Sequence, residues 1–238
     1  MNEFENYIKS MSLNDIIIKL SGTHDYVEFV DNEWEKLKNT KCGTEILKQG
    51  QKWYHGKDCA KILSAILLME ETNLNDFEIK EYLRLAILHD IKKNEQNHDI
   101  KGAYYLLKNF KRTISDERKY ILFILACNSH SDKTYVRHRN IIKNIKSITR
   151  EDIKMSMYLA EADLLCKLIY PVGAMCATDI INNVADYTEI ERRYDKFFGI
   201  TKEDTEKDGY VEVMKNDMLY SKSAKYILYK HQLHLFSR

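Results

Sequence analysis

The stretch Leu83–Lys93 reads LRLAILHDIKK, an apolar helical run that ends in an imidazole, a carboxylate and two lysines. Burying a carboxylate is costly unless it is protonated, ion-paired or bound to a metal. An aspartate at the end of a helix also opposes the helix dipole. We therefore interpret His89 and Asp90 as a candidate metal-binding or catalytic pair, provided that other segments bring suitable ligands to the same side.

The helix that leads to this pair has a defined beginning. Asn75 and Glu78 form a capping-box pattern, which is typical of a helix N-terminus. Continuing the steps of three and four residues along its apolar face leads to His89 and Asp90, so both side chains are predicted to project inward. The apolar face consists of Ile79, Tyr82, Leu83 and Ala86.

The segment before it carries a second inward histidine. His55 lies at the N-terminal end of an apolar stripe with steps of four, three, four and three residues. The alternative interpretation is a core histidine hydrogen-bonded to a carbonyl group. The stripe continues through Cys59, Ile62, Ile66 and Met69.

Three further residues of ligand type follow. His98 comes after a polar break, and His130 ends another apolar stripe. Asp163 lies in the middle of an apolar stripe, whereas Glu161 falls on another face and is predicted to be solvated. Each residue has a simpler alternative: a capping or surface histidine, or an aspartate paired with a lysine or arginine.

Composition limits the class of protein. The 238 residues include one proline and eight glycines, which favours long helices over a β-sandwich or barrel. Hydrophobic residues make up 44%, enough for a globular core, and the net charge is only +1. This balance does not favour nucleic acid as a partner.

The cysteines and the chain's N-terminal sequence predict a cytoplasmic protein. Five cysteines are widely spaced without a C-x-x-C pair, so we expect buried free thiols in a reducing compartment. No signal-peptide pattern follows Met1, and no apolar run approaches the roughly 18 residues of a membrane span.

The predicted organisation is all-α with three parts. Residues 1–49 form an N-terminal helical extension, residues 50–185 a metal-binding catalytic core, and residues 186–238 a C-terminal helical extension with a basic tail. The terminal parts would cover the pocket or build a homodimer. The acid-free basic segment 133–149 is either a solvated surface or a rim that attracts an anionic substrate.

The candidate ligands, taken in order, predict a divalent transition metal. Imidazole and carboxylate together suit Mn, Fe, Ni, Co or Zn, and the absence of a thiolate from the set speaks against a structural zinc site. The order His, His-Asp, His, His, Asp on successive helices resembles the HD-domain superfamily of metal-dependent phosphohydrolases. The matching motifs, over residues 50–185, are Trp53-Tyr54-His55-Gly56, Leu88-His89-Asp90-Ile91 and Ala162-Asp163-Leu164, with weaker matches at His98, Gly102-Ala103 and His130.

The resemblance implies an HD-domain-like helical bundle in which His55, His89, Asp90 and Asp163 hold one metal. It further implies a nucleotide-like phosphate ester as substrate and a water activated by the metal. We expect Asp90 or Asp163 to orient that water. Lys93 would hold a phosphate oxygen, and His98 or His130 would protonate the leaving group.

Two departures from the family pattern qualify this expectation. Lys92 replaces the glycine that follows His-Asp-Ile in many relatives, and Ser131 stands where two-metal relatives often carry a histidine. The second departure favours one metal over two. The alternatives are a catalytically weak domain that senses or sequesters a nucleotide, and a di-iron oxygenase of the same fold.

Overall fold

A computed structural model describes residues 23–48, 54–70, 72–110, 150–166, 221–224 and 227. Of this part 79% is helical and none is strand, which confirms the all-α prediction for the described residues. The described residues do not include His130, the basic segment 133–149, or the two histidines of the basic tail, His231 and His234. The helices are α1 (Thr23–Leu37), α2 (Lys41–Lys48), α3 (Tyr54–Met69), α4 (Asp76–Leu88), α5 (His98–Asn109) and α6 (Arg150–Leu165).

The predicted capping box at the start of α4 is confirmed. The Asn75 side chain accepts a hydrogen bond from the Glu78 backbone N–H, and the Glu78 carboxylate accepts one from the Asn75 N–H, both at 3.0 Å. These bonds satisfy two of the donors that a helix N-terminus leaves exposed. Helix α4 ends at Leu88, so His89 is its C-cap and Asp90 begins the following turn.

Helix α3 forms the centre of the described fold. Every residue from Asp58 to Leu67 is buried, because α1, α4 and α6 all pack around this helix. The predicted stripe of Cys59, Ile62, Ile66 and Met69 is entirely within the core. Burial of an apolar side chain contributes about 1.5 to 3 kcal/mol, so α3 carries much of the stability of the fold.

Helices α1 and α2, from the predicted N-terminal extension, belong to the same hydrophobic cluster. Trp34 and Leu37 of α1 and Ile46 of α2 are buried against it. Glu33 of α1 is 3% exposed and pairs with Arg84 of α4. The spacing of apolar residues in the sequence of α1 assigns Glu33 to a solvated face, and this prediction is wrong.

A short segment from the predicted C-terminal extension also packs on this core. Its backbone donates hydrogen bonds to two carboxylates: Ser221 N–H to Glu161 at 2.7 Å and Ser223 N–H to Glu70 at 2.8 Å. Glu161 is only 2% exposed, so the expectation of a solvated side chain is wrong. The helix face that the spacing assigned to solvent is covered by a segment that begins sixty positions further along the chain.

Among the described residues, no helix has both the length and the apolar character needed to cross a bilayer.

Candidate metal centre

Three helix ends bring four ligand-type side chains together. The first turn of α3 provides His55, the C-terminal end of α4 provides His89 and Asp90, and the last turn of α6 provides Asp163. His55 Nε2 lies 2.9 Å from Asp163 Oδ1 and 3.7 Å from Asp90 Oδ2. His89 Nε2 lies 3.7 Å from Asp163 Oδ1 and 3.8 Å from Asp90 Oδ1.

These distances fit a common divalent cation. Ligand atoms about 2.1 Å from one ion lie about 3.0 Å apart in octahedral geometry and about 3.4 Å apart in tetrahedral geometry. The observed separations of 2.9 to 3.8 Å bracket both values. Two imidazole nitrogens and two carboxylates form a donor set that suits a divalent transition metal. Among the described residues, His55, His89 and Asp90 form one group of three whose ligand atoms all lie within 4.8 Å of one another, and Asp163 approaches both histidines of that group.

The ring of His89 is oriented by the backbone. Its Nδ1 lies 2.6 Å from the carbonyl oxygen of Ala86, three residues earlier. A carbonyl oxygen only accepts hydrogen bonds, so Nδ1 must carry the proton. The neutral ring then has its lone pair on Nε2, the nitrogen that faces the two carboxylates, which is the arrangement a metal-binding histidine requires.

The ring of His55 contacts a thiol. Its Nδ1 lies 3.2 Å from Sγ of Cys166, one residue beyond the end of α6. Burial alone would lower the pKa of His55, but the neighbouring Cys166 and Asp163 raise it well above its usual value. His55 therefore keeps its proton to a higher pH than an ordinary histidine, and a metal ion that binds its Nε2 must displace that proton.

The two lysines of the quoted stretch have different environments. Lys93 Nζ contacts the carboxylate of Asp90. Burial alone would lower the pKa of Lys93, but Asp90 and Asp163 outweigh it and raise the pKa above its usual value. Lys92 instead pairs with Glu45 of α2 at 2.6 Å and Glu95 at 2.8 Å. Lys93 is thus a cation of the site, whereas Lys92 joins the α4–α5 turn to α2.

The structure places the remaining predicted residues as follows. His98 is the first residue of α5, is partly buried, and belongs to none of the metal-ligand clusters formed by the described residues. His130 lies outside the described residues. Five of the predicted site residues therefore lie together: His55, His89, Asp90, Lys93 and Asp163.

Two cysteines border this cluster, and the sequence analysis left both out of the ligand set. Cys166 groups with His55 and Asp163, and Cys59 groups with His89 and Asp163, with potential ligand atoms within 4.8 Å of one another. Cys166 follows Asp163 by three residues, so the helical repeat places both on one face. Cys42, Cys59 and Cys166 are buried free thiols, as predicted for the cysteines in the described residues.

We compared the chain with protein-family models, curated proteins and solved structures. No family model matches this chain, and no curated protein or solved structure shows significant similarity to it.

Proposed function

We propose that this chain is a metal-dependent phosphohydrolase of the HD-domain type that cleaves a phosphate ester of a nucleotide-like substrate. The observation that carries the proposal is the convergence of His55, His89, Asp90 and Asp163 from three helices, with Lys93 beside them. The motif order along the chain supports the same family. The proposed bundle extends over residues 50–185, of which the structure describes parts.

The four side chains would hold one divalent transition metal, and Mn, Fe, Ni, Co and Zn all suit them. Such an ion supplies Lewis-acid activation of water and of the phosphoryl group. Asp90 and Asp163 also have carboxylate oxygens with which to orient the attacking water. The proposal of a single ion rests on the four-residue cluster and on Ser131 in the sequence.

The charge of the cluster determines what it attracts. With both imidazoles neutral, two carboxylates and one lysine give the metal-free cluster a formal charge of −1, and a proton on His55 makes it 0, so in neither form does the cluster attract phosphate. A divalent cation bound by neutral imidazoles gives the cluster a charge of +1, which attracts phosphate. We therefore propose that metal binds before substrate, and that Lys93 moves from Asp90 to a phosphate oxygen as the ester binds.

The replacement of the family's glycine by Lys92 does not obstruct this role. The Lys92 ammonium is held by Glu45 and Glu95 and lies 4.7 Å from the centre of the Tyr105 ring. These contacts direct the side chain toward α2 and α5. Lys92 therefore gives no reason to prefer a catalytically weak domain over an active hydrolase. Our proposed proton donor to the leaving group remains either His98, at the beginning of α5, or His130.

The test combines metal content with phosphate release for the wild-type chain and Asp90→Ala. Nucleoside mono-, di- and triphosphates, cyclic nucleotides and a chromogenic diester are assayed with Mn²⁺, Ni²⁺, Co²⁺ and Mg²⁺. We expect metal-dependent turnover in the wild type and its loss in the variant. A variant that retains both metal and turnover would refute the role of Asp90. Bound metal without turnover on any ester would refute the hydrolase, and oxygen consumption by the iron-loaded protein would indicate an oxygenase.

A further inference from the structure

Cys166 occupies a position that the proposed chemistry does not use. Its side chain is buried, with 5% exposure, directly after α6. Its sulfur lies 3.3 Å from the backbone oxygen of Asp163 and 3.2 Å from Nδ1 of His55. The thiol thus contacts both His55 and Asp163, the two candidate ligands that lie closest together in the cluster.

The two contacts of Cys166 indicate where the thiol hydrogen and the ring hydrogen of His55 lie. The Asp163 carbonyl oxygen only accepts, so the Cys166 S–H donates to it. In this arrangement the sulfur offers His55 only lone pairs, and Nδ1 of His55 donates its hydrogen to the sulfur. The remaining ring nitrogen, Nε2, is the atom that lies 2.9 Å from Asp163 Oδ1.

His89 is arranged in the same way by a different partner. Its Nδ1 is held by the Ala86 carbonyl at 2.6 Å, and its Nε2 also faces Asp163. The cluster therefore contains two imidazoles that are each fixed through Nδ1. The partner of His89 is a backbone carbonyl, which substitution cannot change. The partner of His55 is the side chain of Cys166, which substitution can remove.

We propose that Cys166 is a positioning residue that fixes the orientation and the protonated nitrogen of His55 for metal binding. This inference rests on the proposed metal centre. It does not make Cys166 a ligand: in this arrangement the thiol keeps its hydrogen, and its sulfur accepts a hydrogen bond from Nδ1 of His55. Partners of this kind commonly contribute 10- to 100-fold to metal affinity.

The first part of the test uses metal-free protein, so that its result does not depend on the proposed function. Nitrogen-15 NMR of the histidine rings is recorded for the wild type, Cys166→Ala, Cys166→Ser and Cys42→Ala. Cys42 is a buried free thiol in α2 and controls for the loss of a buried sulfur. We expect a His55 Nδ1–H signal that exchanges slowly with water in the wild type and Cys42→Ala. The signal should be lost in Cys166→Ala and partly restored in Cys166→Ser, because a hydroxyl both donates and accepts.

The second part measures Mn²⁺ and Co²⁺ dissociation constants for the same four proteins. We expect Cys166→Ala to weaken binding by about 10- to 100-fold, Cys166→Ser to recover part of the loss, and Cys42→Ala to match the wild type. Affinities of Cys166→Ala and Cys42→Ala that agree, or a protected His55 signal in Cys166→Ala, would overturn the proposal. So would a thiolate-to-cobalt charge-transfer band that Cys166→Ser abolishes, since that band marks a direct ligand. If the wild type bound no metal, the proposed function would fail, and the NMR comparison would still decide whether Cys166 orients His55.

Discussion

Gly56 in the first turn of α3 lies against the backbone of Ile87 in the last turn of α4. A Cβ at Gly56 would stand 3.0 Å from the carbonyl carbon of Ile87 and 3.2 Å from its Cα. Both residues are close in sequence to a candidate ligand. Gly56 directly follows His55, and Ile87 lies two positions before His89. The close approach of the two helices therefore sets the distance between the two imidazoles, whose ring centres are 5.4 Å apart.

Gly56→Ala should separate α3 from α4 at this point. Because the obstacle is backbone, which cannot rotate away, we expect a loss of unfolding free energy of about 1 to 3 kcal/mol and a marked loss of metal affinity. Chemical denaturation and metal titration measure the two effects. Gly43→Ala is the matched control, since a Cβ there would stand 2.8 Å from the carbonyl carbon of Leu37, at the turn between α1 and α2. Loss of metal affinity in both variants alike would show that general destabilisation is responsible.

Lys93→Gln and Lys92→Gln separate a site lysine from a structural one. Removing the Lys93 charge should lower kcat/KM for a phosphate ester by about 10²- to 10³-fold, while metal binding is retained because a positive charge has been removed. Lys92→Gln breaks the pairs with Glu45 and Glu95 and should cost at most about 1 kcal/mol of stability, with kcat/KM near that of the wild type. Steady-state kinetics and thermal unfolding provide the comparison. Equal kinetic losses in the two variants would argue against a phosphate-binding role for Lys93.

Metal affinity should increase with pH. Burial alone would lower the pKa of His55, but Cys166 and Asp163 raise it well above its usual value, so the metal-free ring keeps its proton to a higher pH than an ordinary histidine. Metal binding must release that proton, and the apparent affinity therefore rises about tenfold per pH unit until the raised pKa is reached. Calorimetry at pH 7 in two buffers of different ionisation enthalpy counts the released protons. Binding that releases none, with an affinity constant from pH 6 to 8, would contradict a protonated His55.

Asp58 should make the fold less stable as the pH rises. Burial raises the pKa of its carboxyl from the ordinary 3.8 to about 6 in the folded chain. A carboxyl with a raised folded pKa favours folding only while protonated, so its contribution is full below about pH 4 and is lost as the pH rises through about 6. Asp58→Asn imitates the protonated form and should gain about 1 to 3 kcal/mol at pH 7, measured by urea unfolding from pH 4 to 8.

Asp31→Asn is the control for Asp58→Asn, because its expected effect has the opposite sign. Burial alone would raise the pKa of Asp31, but hydrogen bonds from Lys57 and Lys61 outweigh burial and lower it. The Asp31 carboxylate therefore stabilises the fold above its ordinary pKa, and that stability is lost as the pH falls through its lowered pKa. Asp31→Asn should thus reduce stability at pH 7. A destabilising effect of both substitutions would refute the interpretation of Asp58.

The spacing of apolar residues was sufficient to predict the helices and the inward direction of several candidate ligands. Steps of three and four residues placed His55, His89 and Asp90 on core-facing positions, and the Asn75–Glu78 pattern predicted where α4 begins. These features are local, and helical periodicity expresses them directly.

What the sequence did not reveal depends on contacts between distant segments. Glu33 and Glu161 lie on faces that the periodicity assigns to solvent, yet Arg84 and the backbone of Ser221 cover them. The Cys166–His55 contact joins residues 111 positions apart. A helical repeat predicts which face a residue occupies but not which other helix meets that face, so these partners required the structure.

The anchoring of residues 221–224 by Glu70 and Glu161 also affects the order of events during synthesis. Glu70 and Ser223 are 153 positions apart, and Ala224 and Ile227 complete the hydrophobic cluster around α3. At about 5 to 20 residues per second, the ribosome adds that intervening chain in roughly 8 to 30 s. During this interval His55, His89 and Asp90 have emerged well before Asp163. The nascent chain therefore exposes an incomplete ligand set for seconds before its core can close, and the candidate metal centre matures late in folding.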